Sequence, residues 1–444
     1  MLRYSSIIPN FQRLRLPLIL ATITALFVGA CNPSNFRSEA AETSQLILSQ
    51  LSDPKTFNLA LSQESPNIFS YTFEGLTTLN PVSREIEPAL AESWKMSEDG
   101  LEFVFTLREN LKWSDGKPLT SNDVVFSYNK IFFNEEIPTD VKDGLKMGEK
   151  GVLPKVEKVD QRRVKFILPE PFRPFLQNMR TPILPKHALQ ESVEKKDSEG
   201  KPLFLQKWNV DTPVNEIITN GPYKLGRYTP TQRVIFERNP YYRKQDKPLI
   251  TKVNWEIVES QDTSLLQFRS GSLDYMGVSP EYFSLLKREE ERGNFRIENG
   301  GPATGTSFVF FNLNKGSRNG KPLVNPIKSK WFNSKDFRQA IAYAIDRETM
   351  INNTYRGLGK TQNSPVSVQS PYYLPPEEGL KVYDYSLDKS RELLKKAGFK
   401  SNSQGQLLDK DGNRVRFTLL TNSGNKIREA MGAQIKSDLS KLGI

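Results

Sequence analysis

Cys31 is the single cysteine among 444 residues, and it follows a segment built for export. Arg3, Arg13 and Arg15 precede the apolar run LPLILATITALFV at residues 16–28, and no acidic residue occurs among the first 30. The run is too short to span a bilayer, and Gly29 and Ala30 supply small residues at a cut site. The segment reads as a signal peptide, and its ending, Val28-Gly29-Ala30-Cys31, looks like a lipobox. The chemistry it predicts is diacylation of the Cys31 thiol, and two acyl chains on one residue suffice for stable anchoring. The thiol is then consumed, so disulfides and cysteine catalysis are both excluded.

His187 is the single histidine, and a Ser-His-Asp hydrolase would have to use it. No Gly-x-Ser-x-Gly elbow, His-Glu-x-x-His, Cys-x-x-Cys or P-loop pattern occurs in the chain. The segment DKDGN at 409–413 looks like a calcium loop, but its glycine comes at the fourth position instead of the sixth. A hairpin turn explains it better. The sequence therefore predicts no catalytic residue, no metal and no cofactor.

The elements that must position any site come from periodicity. Gln45 begins ordered structure with QLILS. Residues 101–108 (LEFVFTLR) alternate as a half-buried strand, with Leu101, Phe103, Phe105 and Leu107 on one face. SDGKP at 114–118 is a turn, and Thr120 with Asp123 opens an amphipathic helix. Further strands are read at Val164 to Leu168, at Val234 and Phe236, and at Val415, Phe417 and Leu419. A helix is predicted over 334–352, a shorter one from Asp388 to Gly398, and a last one over 426–442. Intermixed strands and helices argue for α/β layers. An α/β unit would continue with a strand after the last helix, so the last part of the fold is expected to be missing.

Removal of residues 1–30 takes away three Arg and no acid, leaving 59 basic against 51 acidic residues. The excess is read as spread along the chain, for example in 321–335 and 395–400, and as a solvated mixed-charge surface. No basic block interleaved with aromatics points to nucleic acid.

The chain from about Gln45 onward resembles family 5 of the bacterial extracellular solute-binding proteins, the oligopeptide- and dipeptide-binding components of ABC importers. The resemblance is carried by TFEGLTT at 72–78, PALAESW at 88–94, LEFVFTLRENLKWSDGKPLTSNDVVFS at 101–127 and ILPKH at 183–187. It continues through TNGPYK at 219–224, FERNPYY at 236–242, FNLN at 311–314 and FRQAIAYAIDR at 337–347. It implies a two-lobed fold of the periplasmic-binding-protein type II kind, closing on a small solute, with a family-specific extra domain inserted near the N-terminus. The expected organisation is a signal peptide at 1–30 and a lipid-anchored tether at 31–43. Lobe I follows at 44–78 and 205–298, the inserted domain at 79–204, and an incomplete lobe II at 299–444.

By the same resemblance the chain is a monomer held at the outer face of the cytoplasmic membrane, handing peptides to ABC permease subunits. Members of the family also take nickel chelates, haem, opines or sugars, and a peptide sensor uncoupled from transport is a further alternative. Most matching motifs read as scaffold, including Asp115-Gly116 and Asp346-Arg347, which is expected to pair within or beside its helix. Ligand-facing candidates lie on loops: Glu64, Ser65 and Asn67 after the first strand, Gly277, Val278 and Ser279 offering backbone groups, and Thr306, Phe308 and Phe310 as a facing wall.

Overall fold

Phe103, Phe105 and Leu107 are buried while Val104 and Thr106 are half-exposed, which fixes one face of a strand. The computed structural model describes residues 44–63, 66–301, 305–370 and 372–444. Its strands are β1 (Gln45–Gln50), β2 (Thr77–Leu79), β3 (Ile86–Pro88), β4 (Ala91–Met96), β5 (Glu102–Leu107), β6 (Lys155–Lys158), β7 (Arg163–Ile167), β8 (Tyr223–Thr229), β9 (Arg233–Arg238) and β10 (Lys252–Ile257). Four short strands follow: β11 (Ser317–Arg318), β12 (Lys321–Pro322), β13 (Lys400–Ser401) and β14 (Leu407–Leu408). One four-stranded sheet has the order β4-β5-β7-β6, and another β1-β10-β9-β8. Among the described residues no helix is long and apolar enough to cross a membrane.

The described chain divides into two units, one of residues up to Leu46 with Pro54–Asn254, the other of Ile47–Asp53 with Trp255–Ile444. In the first, β5 pairs antiparallel with β4 and β7, placing Phe105 opposite Trp94 and Val164. The aromatic core on this sheet is tightly interlocked. Phe166 meets Phe105 and Tyr128 edge-on at centroid distances of 5.6 and 5.0 Å, and Phe175 lies 4.6 Å from Phe103. Helix α1 (Ser121–Phe126) opens with the expected capping box, Thr120 and Asp123 each satisfying the other's backbone. It then widens into a π-helical stretch, Ser127–Phe132.

The first unit also carries α2 (Lys186–Glu194), and the second unit is built chiefly on helices, α3 (Gln261–Arg269), α4 (Pro280–Gly293), α5 (Pro326–Asn333), α6 (Lys335–Ala344), α7 (Arg347–Thr354), α8 (Leu387–Lys396) and α9 (Lys426–Ser440), with short strands between them. Its main core joins Trp331, Phe337, Ile341, Leu394, Phe399, Val415, Ile435 and Leu439. Three expectations need correction. The helix read over 334–352 is two helices, because Ile345 turns extended and Asp346 caps α7, its Oδ1 accepting from Thr349 N at 3.0 Å. Arg347 does not pair with Asp346; it donates to the Tyr383 and Ala342 carbonyls. The strand read at Val415 to Leu419 has no ladder. A single antiparallel bridge, Leu408 to Arg414, closes the 409–413 turn, and Val415 is simply buried in the core.

Candidate functional site

The signature motifs meet one another in the first unit. Glu74 of TFEGL receives Arg243 through two bonds, Nε to Oε2 at 2.6 Å and Nη2 to Oε1 at 3.0 Å, and Tyr242 OH donates to Oε1 at 2.7 Å. Both charged side chains are largely buried, 8% exposed for Arg243 and 16% for Glu74. Burial opposes the charge of Arg243, but the bonds and charge of Glu74 outweigh it and hold the guanidinium protonated. Burial, with the Glu74 charge beside it, pushes the Tyr242 phenol up, so that it stays a donor. The Glu74 backbone is fixed from both sides: its amide donates to Asn220 Oδ1 at 2.7 Å, and its carbonyl accepts from Ile183 N at 3.1 Å. Gly221 N donates to Thr72 O at 2.8 Å, and Asn239 Nδ2 to Gly221 O at 2.9 Å. Four motifs, reaching from Thr72 to Tyr242, thus form one hydrogen-bonded node.

A second node joins the 114–118 turn to the ILPKH motif. His187 Nε2 donates to Asp115 Oδ2 at 2.9 Å, with both side chains about one-quarter exposed. Partial burial raises the Asp115 pKa, but the Lys117 amide, the His187 bond and the charges of both partners outweigh it and hold the carboxyl below its ordinary value. Asp123, in the first turn of α1, is buried and accepts from the Thr120 and Lys186 amides at 2.9 and 3.0 Å, the latter tying it to the residue before His187. Burial pushes its carboxyl up despite those amides.

The Asp115 pair makes a pH prediction. A carboxylate held low in the folded state stabilises fully above the unfolded value, near about pH 3.9, and loses that contribution as pH falls through the folded value. Asp115→Asn is therefore expected to cost about 1 kcal/mol near neutrality. That difference from the parent should shrink in urea titrations below about pH 4. A gap that stays constant across that range would mean that Asp115 acts through shape alone.

Of the candidate ligand-facing residues, Glu64 and Ser65 lie outside the described residues, as does Cys31. Asn67 is exposed and opens the single turn Phe69–Thr72, its Oδ1 accepting from Ser70 N at 3.3 Å. Gly277 is exposed, with open space where a Cβ would stand. Val278 packs on the small cluster of Leu265, Leu286 and Ile297. Ser279 is buried at the start of α4, its carbonyl accepting from Tyr282 N at 2.9 Å. Across the trio the chain thus passes from exposed at Gly277 through half-exposed at Val278 to buried at Ser279. Thr306, Phe308 and Phe310 lie on an irregular segment. Phe308 and Phe310 are 73% and 76% exposed, with ring centroids 6.1 Å apart. The sequence reading missed Tyr355, whose hydroxyl reaches Ser307 Oγ at 3.3 Å across 48 residues. It also missed Trp331, whose buried indole donates to Asp409 Oδ2 at 2.8 Å and so occupies the carboxylate of the calcium-like loop. Among the described residues no group of three or more His, Cys, Asp or Glu could hold a metal ion.

Motifs that bond to one another, with exposed aromatic and backbone groups left on loops, are the features of a binding scaffold. Residues 85–444 match the model of the bacterial extracellular solute-binding proteins, family 5 Middle, and the chain belongs to that family. It is similar to a probable ABC transporter-binding protein of Deinococcus radiodurans, 29% identical over 448 residues, covering 97% of this chain and 73% of the relative. It is also similar to the oligopeptide-binding protein AppA of Bacillus subtilis, 28% identical over 438 residues, covering 95% of this chain and 73% of AppA. The AppA structure in complex with a nonapeptide superposes with a TM-score of 0.72 at 26% identity, over 90% of this chain and 73% of that one. NikZ of Campylobacter jejuni, solved with Ni(L-His), gives 0.69 at 24% identity over 91% and 73%, a likeness of fold. The fold is thus the α/β two-lobed fold of these binding proteins, and the role is that of an extracellular solute-binding protein of the ABC-transporter class.

Proposed function

We infer that this chain captures peptides in a cleft between two lobes and delivers them to the permease of an ABC importer, without catalysing a reaction. The observation that carries the reading is the family match over residues 85–444, joined to near-full-length similarity with a protein named for oligopeptide binding. In this reading 44–78 and 205–298 form lobe I, 79–204 the inserted domain and 299–444 lobe II. Solute contacts made on both lobes favour the closed form by their differential affinity, and the closed form is what a permease reads. The exposed Gly277 backbone and the Phe308 and Phe310 rings supply sequence-tolerant contacts, backbone hydrogen bonding and apolar area, which suit peptides of varied side chain. Acylated Cys31 holds a monomeric receptor at the outer face of the cytoplasmic membrane.

Mass spectrometry of the purified protein tests both parts. Denaturing release should yield a family of short peptides, and the intact mass should equal a chain starting at Cys31 plus a diacylglyceryl group. A single non-peptide compound would move the assignment to another solute. An unmodified N-terminus would remove the anchor.

A further inference from the structure

The charge of this chain is not spread evenly. Residues 305–444 hold 23 Lys and Arg against 12 Asp and Glu, leaving 39 of each sign in residues 1–304. The whole net charge of +11 therefore resides in the last 140 residues, which corrects the reading of a dispersed excess. Within that segment the basic residues differ in how they are used. Lys396, Lys426 and Lys441 each have a carboxylate within 4.0 Å, while Arg347 is spent on backbone carbonyls. Lys315, Arg318, Lys321 and Lys328 belong to the larger set of basic residues here with no carboxylate at salt-bridge distance among the described residues, and they are distinguished by falling within 14 consecutive positions that hold no acidic residue. The first three ride an exposed hairpin in which β11 and β12 pair with Arg318 opposite Lys321. Lys328 follows on the first turn of α5. Like charges facing each other across a hairpin are unfavourable in isolation, so this arrangement costs stability unless something anionic covers it. Leu323 and Ile327 are 44% and 37% exposed on the same hairpin and helix start.

We propose that the hairpin and the start of α5 dock on an anionic membrane surface. The four cations meet the headgroups, and Leu323 and Ile327 enter the interfacial layer. Long flexible cations interleaved with isolated aliphatic side chains are the composition of interfacial membrane contacts. A folded acidic partner would be expected to meet arginine-rich, bidentate geometry, whereas three of these four cations are lysines, which act as point charges on a diffuse field. The contact does not depend on which solute the protein carries. It orients the receptor on a surface to which an acyl anchor alone would tether it without orientation.

Each basic side chain held near an anionic leaflet multiplies partitioning by about fivefold. The test uses the chain from Asn32 onward, which contains every described residue and no acyl group. Its co-sedimentation is measured with vesicles of equimolar phosphatidylcholine and phosphatidylglycerol, and with pure phosphatidylcholine. Binding is expected only to the mixed vesicles and to be lost in molar salt. R318E/K321E, on an exposed hairpin with no core contact to lose, is expected to weaken binding about 25-fold, and adding K315E and K328E to lower it by at least a further tenfold. K155E/K158E, which makes the same change of charge on β6 of the first unit, should leave binding within about twofold. Equal losses from the two double variants would overturn the proposal, because the attraction would then be a property of net charge. Absence of binding to mixed vesicles would do the same, as would binding of poly-glutamate in their place, which would identify an acidic protein surface as the partner.

Discussion

Replacing Arg243 by Ala is expected to destabilise the first unit by about 3–5 kcal/mol, because it leaves Glu74 buried and charged with the Tyr242 hydroxyl as its remaining side-chain donor. The size follows from an asymmetry. A buried ion pair adds little net stability over an apolar pair of the same shape, while a buried charge without its partner carries the full desolvation cost. The double variant Glu74→Leu with Arg243→Met should therefore be less destabilised than Arg243→Ala alone. Urea unfolding followed by the fluorescence of Trp94, Trp113 and Trp208, all in the first unit, reads the effect if Trp255 and Trp331 are replaced by Phe in every chain compared. An Arg243→Ala midpoint within error of the parent would show that solvent already reaches Glu74. A double variant as unstable as the single would show that the pair is needed for geometry, since the Glu74 backbone also anchors Asn220 and Ile183.

This node shows what the sequence could and could not reveal. Strand β5 and the Thr120–Asp123 box were legible because their signals are local: a two-residue period and a three-residue capping spacing act through neighbouring atoms. Glu74 and Arg243 are separated by 169 positions, and nothing near either one announces the other. The family motifs could be recognised as strings, but that they bond to one another is a tertiary fact. The failed strand at Val415 shows the opposite error. Alternation was present, and Val415 is buried as the pattern required, yet a strand also needs a neighbour to pair with, and periodicity carries no information about neighbours. The break at Asp346 was signalled by a good N-cap residue, and the helical run of FRQAIAYAIDR masked it. At residues 277–279 the same difficulty recurs: a loop string cannot say that Val278 packs on the core while Gly277 stays exposed.

Glycines separate scaffold from site with a single methyl group. Gly221→Ala is expected to cost about 3 kcal/mol or more, although alanine normally gains several tenths of a kcal/mol over glycine by restricting the unfolded chain. A Cβ on Gly221 would stand 2.5 Å from the Thr72 carbonyl carbon and 2.7 Å from Phe73 N, and backbone cannot swing aside as a side chain can. The methyl must push apart the Gly221–Thr72 hydrogen bond, and with it the contact between the TFEGL and NGPY motifs. Gly277 is the counter-case. It has no atom within 4 Å of its Cβ position and its φ is not in the left-handed region, so Gly277→Ala should leave the unfolding midpoint unchanged or slightly raised. If the 277 backbone meets the solute, that substitution weakens capture while stability holds; Gly221→Ala should instead lower stability and lower capture only in proportion to the unfolded fraction. Calorimetric binding of a released peptide, measured beside urea midpoints for the two variants, separates these effects. Equal stability losses would mean that the Thr72 backbone yields to the methyl, and unchanged affinity in Gly277→Ala would remove Gly277 from the site.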